Sequence, residues 1–244
     1  MIKDFKLVKR NGIGFIKRKC DDAVFQEVFD ENSYRMEELP YNKSGVAIDI
    51  GAHIGTFSLR CAIEHGYHVY AYEPDYESFK LLECNLIIND ANASVDCFRR
   101  AVAKNNSWRK LHIHKYHFGT AFTLDWKLRK EIDKKTGRWK EEIRSERVPC
   151  ITLAQIFNYN KIHHCDILKM DCEEAEKQIF SEESKKYFTR CSSVILEWHD
   201  SDGHIYADYL KKLGFKVELT GCGQPPPKYD PTFARGMLYA RKTL

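Results

Sequence analysis

Apolar side chains recur at two spacings along this chain, and from residue 46 onward the two spacings alternate. Val46, Ala47, Ile48 and Ile50 form a short run bounded by glycines, the pattern of a strand buried on both faces. Leu59, Ala62 and Ile63 follow at helical spacing, which predicts a helix near Gly55 to His65. Val69 to Tyr72 is a second short strand closed by Glu73, and Phe79, Leu82 and Leu86 place a second helix over about 75–89. Further core strands are predicted at about 94–102, 167–171 and 194–199, with a helix over 152–157. A last helix carries Ile205, Tyr209, Leu210 and Leu213 and stops at Gly214. Phe215 to Leu219 and Met237 to Ala240 then read as a terminal antiparallel pair. Between the third and fourth core strands, Leu111, Ile113, Phe122 and Leu124 alternate as one or two extra strands. Strands and helices in that succession predict an α/β fold with a mostly parallel sheet.

The first forty residues fall outside this repeat. Residues 5–18 alternate around Asn11-Gly12, a hairpin signal, and Ala23 to Asp30 reads as a short helix before the turn at Pro40. The expected organisation is one domain over 1–244, with 1–42 as a cover over one end of the sheet and 43–244 as the core. Residues 127–147 form a densely charged insert, but Glu131, Asp133, Glu141 and Glu142 interleave with its bases. That pattern suits a solvated flap better than a nucleic-acid patch.

Composition narrows the class only a little. A formal charge of +4 permits an anionic substrate without requiring nucleic acid. No apolar run approaches the roughly 20 residues that span a bilayer, and the N-terminus lacks the apolar core of a signal peptide. The nine cysteines are scattered with no Cys-x-x-Cys pair, which predicts reduced core thiols and a cytoplasmic protein.

The candidate chemistry sits at the first strand-to-helix turn. Asp49-x-Gly51-x-x-x-Gly55 follows the first core strand, where doubly wound folds bind nucleotide-like ligands. A dinucleotide site requires Gly-x-Gly-x-x-Gly, and His53 stands where the middle glycine belongs. S-adenosylmethionine (SAM) carries an ammonium and a carboxylate in place of phosphates. Asp49 and loop carbonyls suit the ammonium, and the N–H groups opening the helix suit the carboxylate. Glu73, at the end of the next strand, is placed to accept hydrogen bonds from both ribose hydroxyls.

Four segments taken in order carry a closer likeness. They are Asp49 to Gly55 with Phe57-Ser58; Tyr72-Glu73-Pro74 with Asn85 to Asn89; Leu168 to Glu176; and Leu196-Glu197-Trp198-His199. With Glu27 to Tyr34 upstream, the chain from about residue 20 onward resembles the FkbM-type SAM-dependent methyltransferases. The resemblance implies a Rossmann-like class I methyltransferase fold, a seven-stranded mostly parallel sheet with a closing antiparallel hairpin and an N-terminal cover segment. It implies SAM as cofactor, held by Asp49, Gly51, His53, Gly55, Thr56, Glu73 and Ala101. It also implies O-methylation of a hydroxyl on a sugar, glycan or small metabolite. One position departs from the family: Glu174 stands where a glycine is usual, which bears on the substrate pocket.

Asp171 and His199 end the fourth and fifth core strands and are the candidate catalytic bases. Asp171 also suits a helix cap, and His199 suits a backbone-bonded strand end. Glu173 and Glu176 read as helix-start acids, and His53 as packing or backbone support within the cofactor loop. His112, His114 and His117 have no carboxylate or cysteine spaced with them, so no metal is expected. An RNA methyltransferase, or a SAM-binding protein without activity, are the alternatives.

Overall fold

The computed structural model describes residues 5–114, 122–123, 143–172, 175–198, 203–221 and 236–242. Glu173, Glu174, His117, His199, residue 124 and residues 127–142 of the charged insert lie outside the described residues.

Asn11 and Gly12 both adopt positive φ (+49° and +84°), the geometry of a two-residue hairpin joining β1 (Lys6–Arg10) to β2 (Ile13–Lys17). A helical run follows, α1 (Asp22–Phe25) widening into a π turn over Gln26–Asp30. The repeat then begins with β3 (Val46–Ile50), α2 (Thr56–His65), β4 (His68–Tyr72), α3 (Tyr76–Ile88) and β5 (Val95–Phe98). Gly66, at φ +78°, ends α2 by donating its N–H to the Ala62 carbonyl. Asp75 caps α3, its side chain accepting from the Ser78 N–H at 2.8 Å. A capping box of Thr152 and Gln155 starts α4 (Leu153–Tyr159), ahead of β10 (Cys165–Met170). The short helices α5 (Glu176–Ile179) and α6 (Lys185–Phe188) lead to β11 (Cys191–Trp198), α7 (Gly203–Lys212), β12 (Phe215–Leu219) and β13 (Gly236–Lys242).

These strands form a mixed seven-stranded sheet in the order β12-β13-β11-β10-β3-β4-β5. β3 is central and parallel to both neighbours, whereas β13 lies between β11 and β12 and runs antiparallel to each. The terminal antiparallel pair thus forms one edge of the sheet, with β13 joining it to β11 and β12 outermost. Alternate residues feed two cores. Ile48, Leu168 and Leu196 pack with Phe157, Phe188 and Leu210. Ala47, Ile167 and Ile195 share the other core with Phe57, Leu82 and, from the N-terminal segment, Phe15, Val28 and Met36. That segment is tied on by polar contacts as well. Asn85 of α3 accepts the Ile16 N–H at 2.6 Å, and Arg60 of α2 donates to the Val28 carbonyl at 2.7 Å.

Two expectations need correction. The strand expected over 94–102 is broken at Arg99-Arg100, and β6 (Ala101–Val102) leaves the main sheet to pair with β9 (Ile143–Ile151). Two adjacent arginines cannot continue a strand buried on both faces, and the chain turns there. β9 also pairs along the whole of β7 (Trp108–His114), and β8 (Phe122–Thr123) completes a second, four-stranded sheet. The end of the charged insert, residues 143–147, is therefore strand, with residues 144–147 half-buried or exposed. Further along β9, Val148 and Cys150 face a small core with Leu111 and Ile113. No helix among the described residues is long and apolar enough to cross a membrane, and their cysteines are free.

Candidate functional site

A cavity of about 750 Å³, counted with its open mouth, lies at the carboxyl ends of β3, β4 and β10. Gly51, Ala52, His53, Thr56 and Phe57 form its floor, with Glu73 and Pro74 at one side and Ala101, Val102 and Leu111 at another. Val24, Val28 and Tyr34 of the N-terminal segment close the wall, beside Lys169 and Asp171.

The loop after β3 is built by hydrogen bonding to the next strand. Gly51 and Ala52 donate their N–H groups to the Tyr72 carbonyl at 2.9 and 3.1 Å. Gly51 sits at φ +78°, and a Cβ there would lie 1.7 Å from the Asp171 carbonyl oxygen. α2 begins at Gly55 (φ +89°) with no side-chain cap, so its first N–H groups are left for a ligand or water. Thr56 and Phe57, in that first turn, line the cavity.

Glu73 is buried, and each carboxylate oxygen accepts one backbone N–H at 2.8 Å, from His53 and from Asp75. A carboxylate oxygen has two acceptor directions, so both retain capacity on the cavity side. Burial, reinforced by nearby Asp75, pushes the Glu73 carboxyl up to about 8, against the pull of the two amides and Lys169.

Beneath the loop is a buried ion pair. Lys169 Nζ lies 3.1 Å from Asp49 Oδ1 and donates to the Gly51 carbonyl at 2.7 Å, while Ser58 donates to Asp49 Oδ2 at 2.6 Å. Burial works against the lysine charge, but Asp49 and Asp171 outweigh it and raise its pKa. Asp49 therefore anchors β10 and α2 under the loop and does not line the cavity. Gly55 does not line it either, being packed against Leu82. The other residues expected around the cofactor (Gly51, His53, Thr56, Glu73 and Ala101) are brought together on its wall.

The Asp171 carboxylate, at the end of β10, carries the acidic face of the cavity. Tyr34 donates to its Oδ2 at 2.9 Å and lies 3.2 Å from Glu197 Oε2, with Lys169 Nζ 3.7 Å from the same Asp171 oxygen. Burial and these two acids hold the Tyr34 phenol well above its ordinary pKa, so it remains a donor. His199 lies outside the described residues. The helix α5 starts at Glu176 with no side-chain cap, and the residues an Asp171 cap would serve, 173 and 174, lie outside the described residues. Glu176 instead turns back to accept the Cys172 N–H at 3.2 Å.

Lys169 and Tyr34 were not among the residues expected to matter from periodicity or spacing. A signal for Lys169 existed: a lysine inside an otherwise apolar strand requires a buried carboxylate partner, and Asp49 shares its register. Tyr34 had none, because it meets Asp171 across 137 residues of chain. Arg100 lines the cavity as an exposed cation, and two other arginines close to it in the fold are paired. Arg144 bonds Asp75 and lies 3.5 Å from Glu77, while Arg99 meets Glu146 at 3.1 Å. Among the described residues no group of three acids, cysteines or histidines could hold a metal.

Comparison with known proteins assigns this architecture. The methyltransferase FkbM domain family matches residues 49–217. The chain is 24% identical over 242 residues to 31-O-demethyl-FK506 methyltransferase FkbM of Streptomyces tacrolimicus, covering 90% of this chain and 89% of that protein. It is 23% identical to methyltransferase sdnD of Sordaria araneosa, covering 87% and 88%. Among solved structures, an rRNA methylase from Streptococcus thermophilus aligns with a TM-score of 0.51 at 9% identity, covering 89% of this chain and 96% of that one. This last likeness concerns the fold.

Proposed function

The chain belongs to the methyltransferase FkbM domain family, and we propose that its cavity holds SAM for transfer of a methyl group to a hydroxyl oxygen of a sugar, glycan or small metabolite. The observation that carries the reading is Glu73: a buried acid on the cavity wall, fixed by two backbone amides, with acceptor capacity left over. The uncapped start of α2 suits a carboxylate, as a helix N-terminus does. When bound, the cofactor supplies an electrophilic sulfonium methyl. The protein's part is to hold the acceptor hydroxyl in line and to take its proton. Asp171, oriented by Tyr34 and Lys169, is the base this reading favours, with His199 as the partner candidate from the next strand end.

An oxygen acceptor is favoured by the 31-O-demethyl-FK506 methyltransferase, whose name places its transfer on oxygen and which is similar over 90% of this chain. An RNA acceptor is the alternative reading, since Arg100 stands exposed on the cavity wall, although Arg144 and Arg99 beside it are paired with acids. If the base is Asp171, Asp171→Asn lowers turnover by about 10²–10⁴ and leaves affinity for S-adenosylhomocysteine within a few-fold. Loss of affinity with turnover per bound enzyme preserved would make Asp171 a cofactor ligand.

The titration of Glu73 gives a second test. Below about pH 8 the empty site holds a proton on this carboxyl, and ribose hydroxyls that donate to it favour the ionised form. Binding at pH 7 then releases close to one proton. Affinity strengthens as pH rises, up to roughly tenfold per unit, and levels off above 8. Calorimetry in two buffers of different ionisation heat measures the proton count directly. Flat affinity with no proton release would remove Glu73 as the ionised acceptor.

A further inference from the structure

Arg100 presents a guanidinium on the cavity wall that no protein group engages. It is exposed, and among the described residues its side chain makes no hydrogen bond or ion pair. Its neighbour Arg99 is paired with Glu146 at 3.1 Å, and Lys169, which also lines the cavity, is buried against Asp49. The backbone holds Arg100 directly beside Glu73. The Phe98 carbonyl accepts the Glu73 N–H at 3.1 Å and the Arg100 N–H at 2.9 Å, so one oxygen ties the two positions together. Just past Arg100, Ala101 and Val102 pair with Cys150 and Ile151 of β9. Both line the cavity with Leu111, as a buried apolar wall.

The strand order β10-β3-β4-β5 gives a bound cofactor its direction. In SAM the ribose joins the amino-acid part to the base. With the carboxylate at the start of α2, after β3, and the ribose on Glu73, after β4, the base falls beyond β4 at the β5–β6 break. A guanidinium is planar, weakly hydrated and stacks on aromatic faces. We propose that the Arg100 guanidinium lies over the adenine of the bound cofactor and holds it against Ala101, Val102 and Leu111. This rests on the reading that the cavity takes SAM. It makes Arg100 a cofactor-binding residue and not a phosphate contact for an RNA acceptor.

The experiment titrates S-adenosylhomocysteine into the full chain and into Arg100→Met and Arg100→Lys. Arg100 is exposed and unpartnered, so both variants keep the wild-type thermal midpoint. Arg100→Met weakens binding by about threefold to tenfold. Arg100→Lys keeps the charge without the plane and remains at least about twofold weaker than the wild type. With adenosine, which lacks the amino-acid part, the Arg100→Met loss persists. In the wild-type complex, nuclear Overhauser effects connect the adenine ring protons to the Arg100 side chain. Native S-adenosylhomocysteine affinity in Arg100→Met overturns the proposal, and if single-stranded RNA retention falls in that variant, the guanidinium belongs to the acceptor side. A loss that vanishes with adenosine also overturns it, by moving the contact to the cofactor carboxylate, as does full recovery in Arg100→Lys. A wild type that binds no S-adenosylhomocysteine overturns the cofactor reading itself, which separates that failure from the others.

Discussion

Gly51→Val is expected to abolish cofactor binding and to cost about 4 kcal/mol or more of folding stability, an exceptional loss for one substitution. Two independent causes add. At φ +78° any L side chain is strained, a β-branched one most of all. The Cβ would also lie 1.7 Å from the Asp171 carbonyl oxygen and 2.8 Å from its carbon, backbone atoms that cannot rotate aside. Relief requires β3 and β10 to separate at the site. There the Asp171 N–H bonds the Ile50 carbonyl at 3.0 Å and Lys169 holds the Gly51 carbonyl. Urea unfolding and S-adenosylhomocysteine titration check the two effects separately. A variant with native midpoint and native affinity would show that the loop is not the cradle described.

Glu73→Ala, measured at pH 8.5 where the carboxyl is ionised, is expected to weaken S-adenosylhomocysteine by about 30- to 100-fold, or about 2–3 kcal/mol. The loss combines a charged acceptor for two hydroxyls with loosening of the loop, since the His53 and Asp75 amides lose their acceptor as well. Glu73→Gln keeps one acceptor oxygen for those amides and separates the contributions. A thermal midpoint for the glutamine variant near that of the wild type, with affinity still reduced at least tenfold, assigns the loss to the ligand contact. Unchanged affinity in the alanine variant would remove Glu73 from the site.

The sequence was informative wherever the physics is local. Val46 to Ile50 is apolar enough to be central, and glycines at 51 and 55 mark a turn that only positive φ can make. Glu73 follows at the end of the neighbouring strand for the same reason of topology. Long-range pairing was harder to see. Tyr34 reaches the cavity, and Arg18 and Asp21 reach His53 on its wall, from outside the repeating units and through contacts that leave no periodic trace. Asp49 was legible as the acid at the strand end, but the lysine that occupies it lies on another strand, aligned only by β3–β10 register. The break at Arg99-Arg100 was visible as two charges inside an apolar run. The consequence, a second sheet forming one wall of the cavity, depended on where β9 would pair.

The central claim is that this cavity delivers a methyl group from SAM to a hydroxyl oxygen, and one assay meets it directly. The full chain is incubated with methyl-labelled SAM and separate pools of hydroxylated metabolites, glycans and RNA, with Asp171→Asn as the control. The account predicts label on oxygen in a metabolite or glycan pool, transfer that persists at moderate salt, and a signal at least 100-fold lower in the variant. Label confined to RNA and lost between low and moderate salt would contradict it.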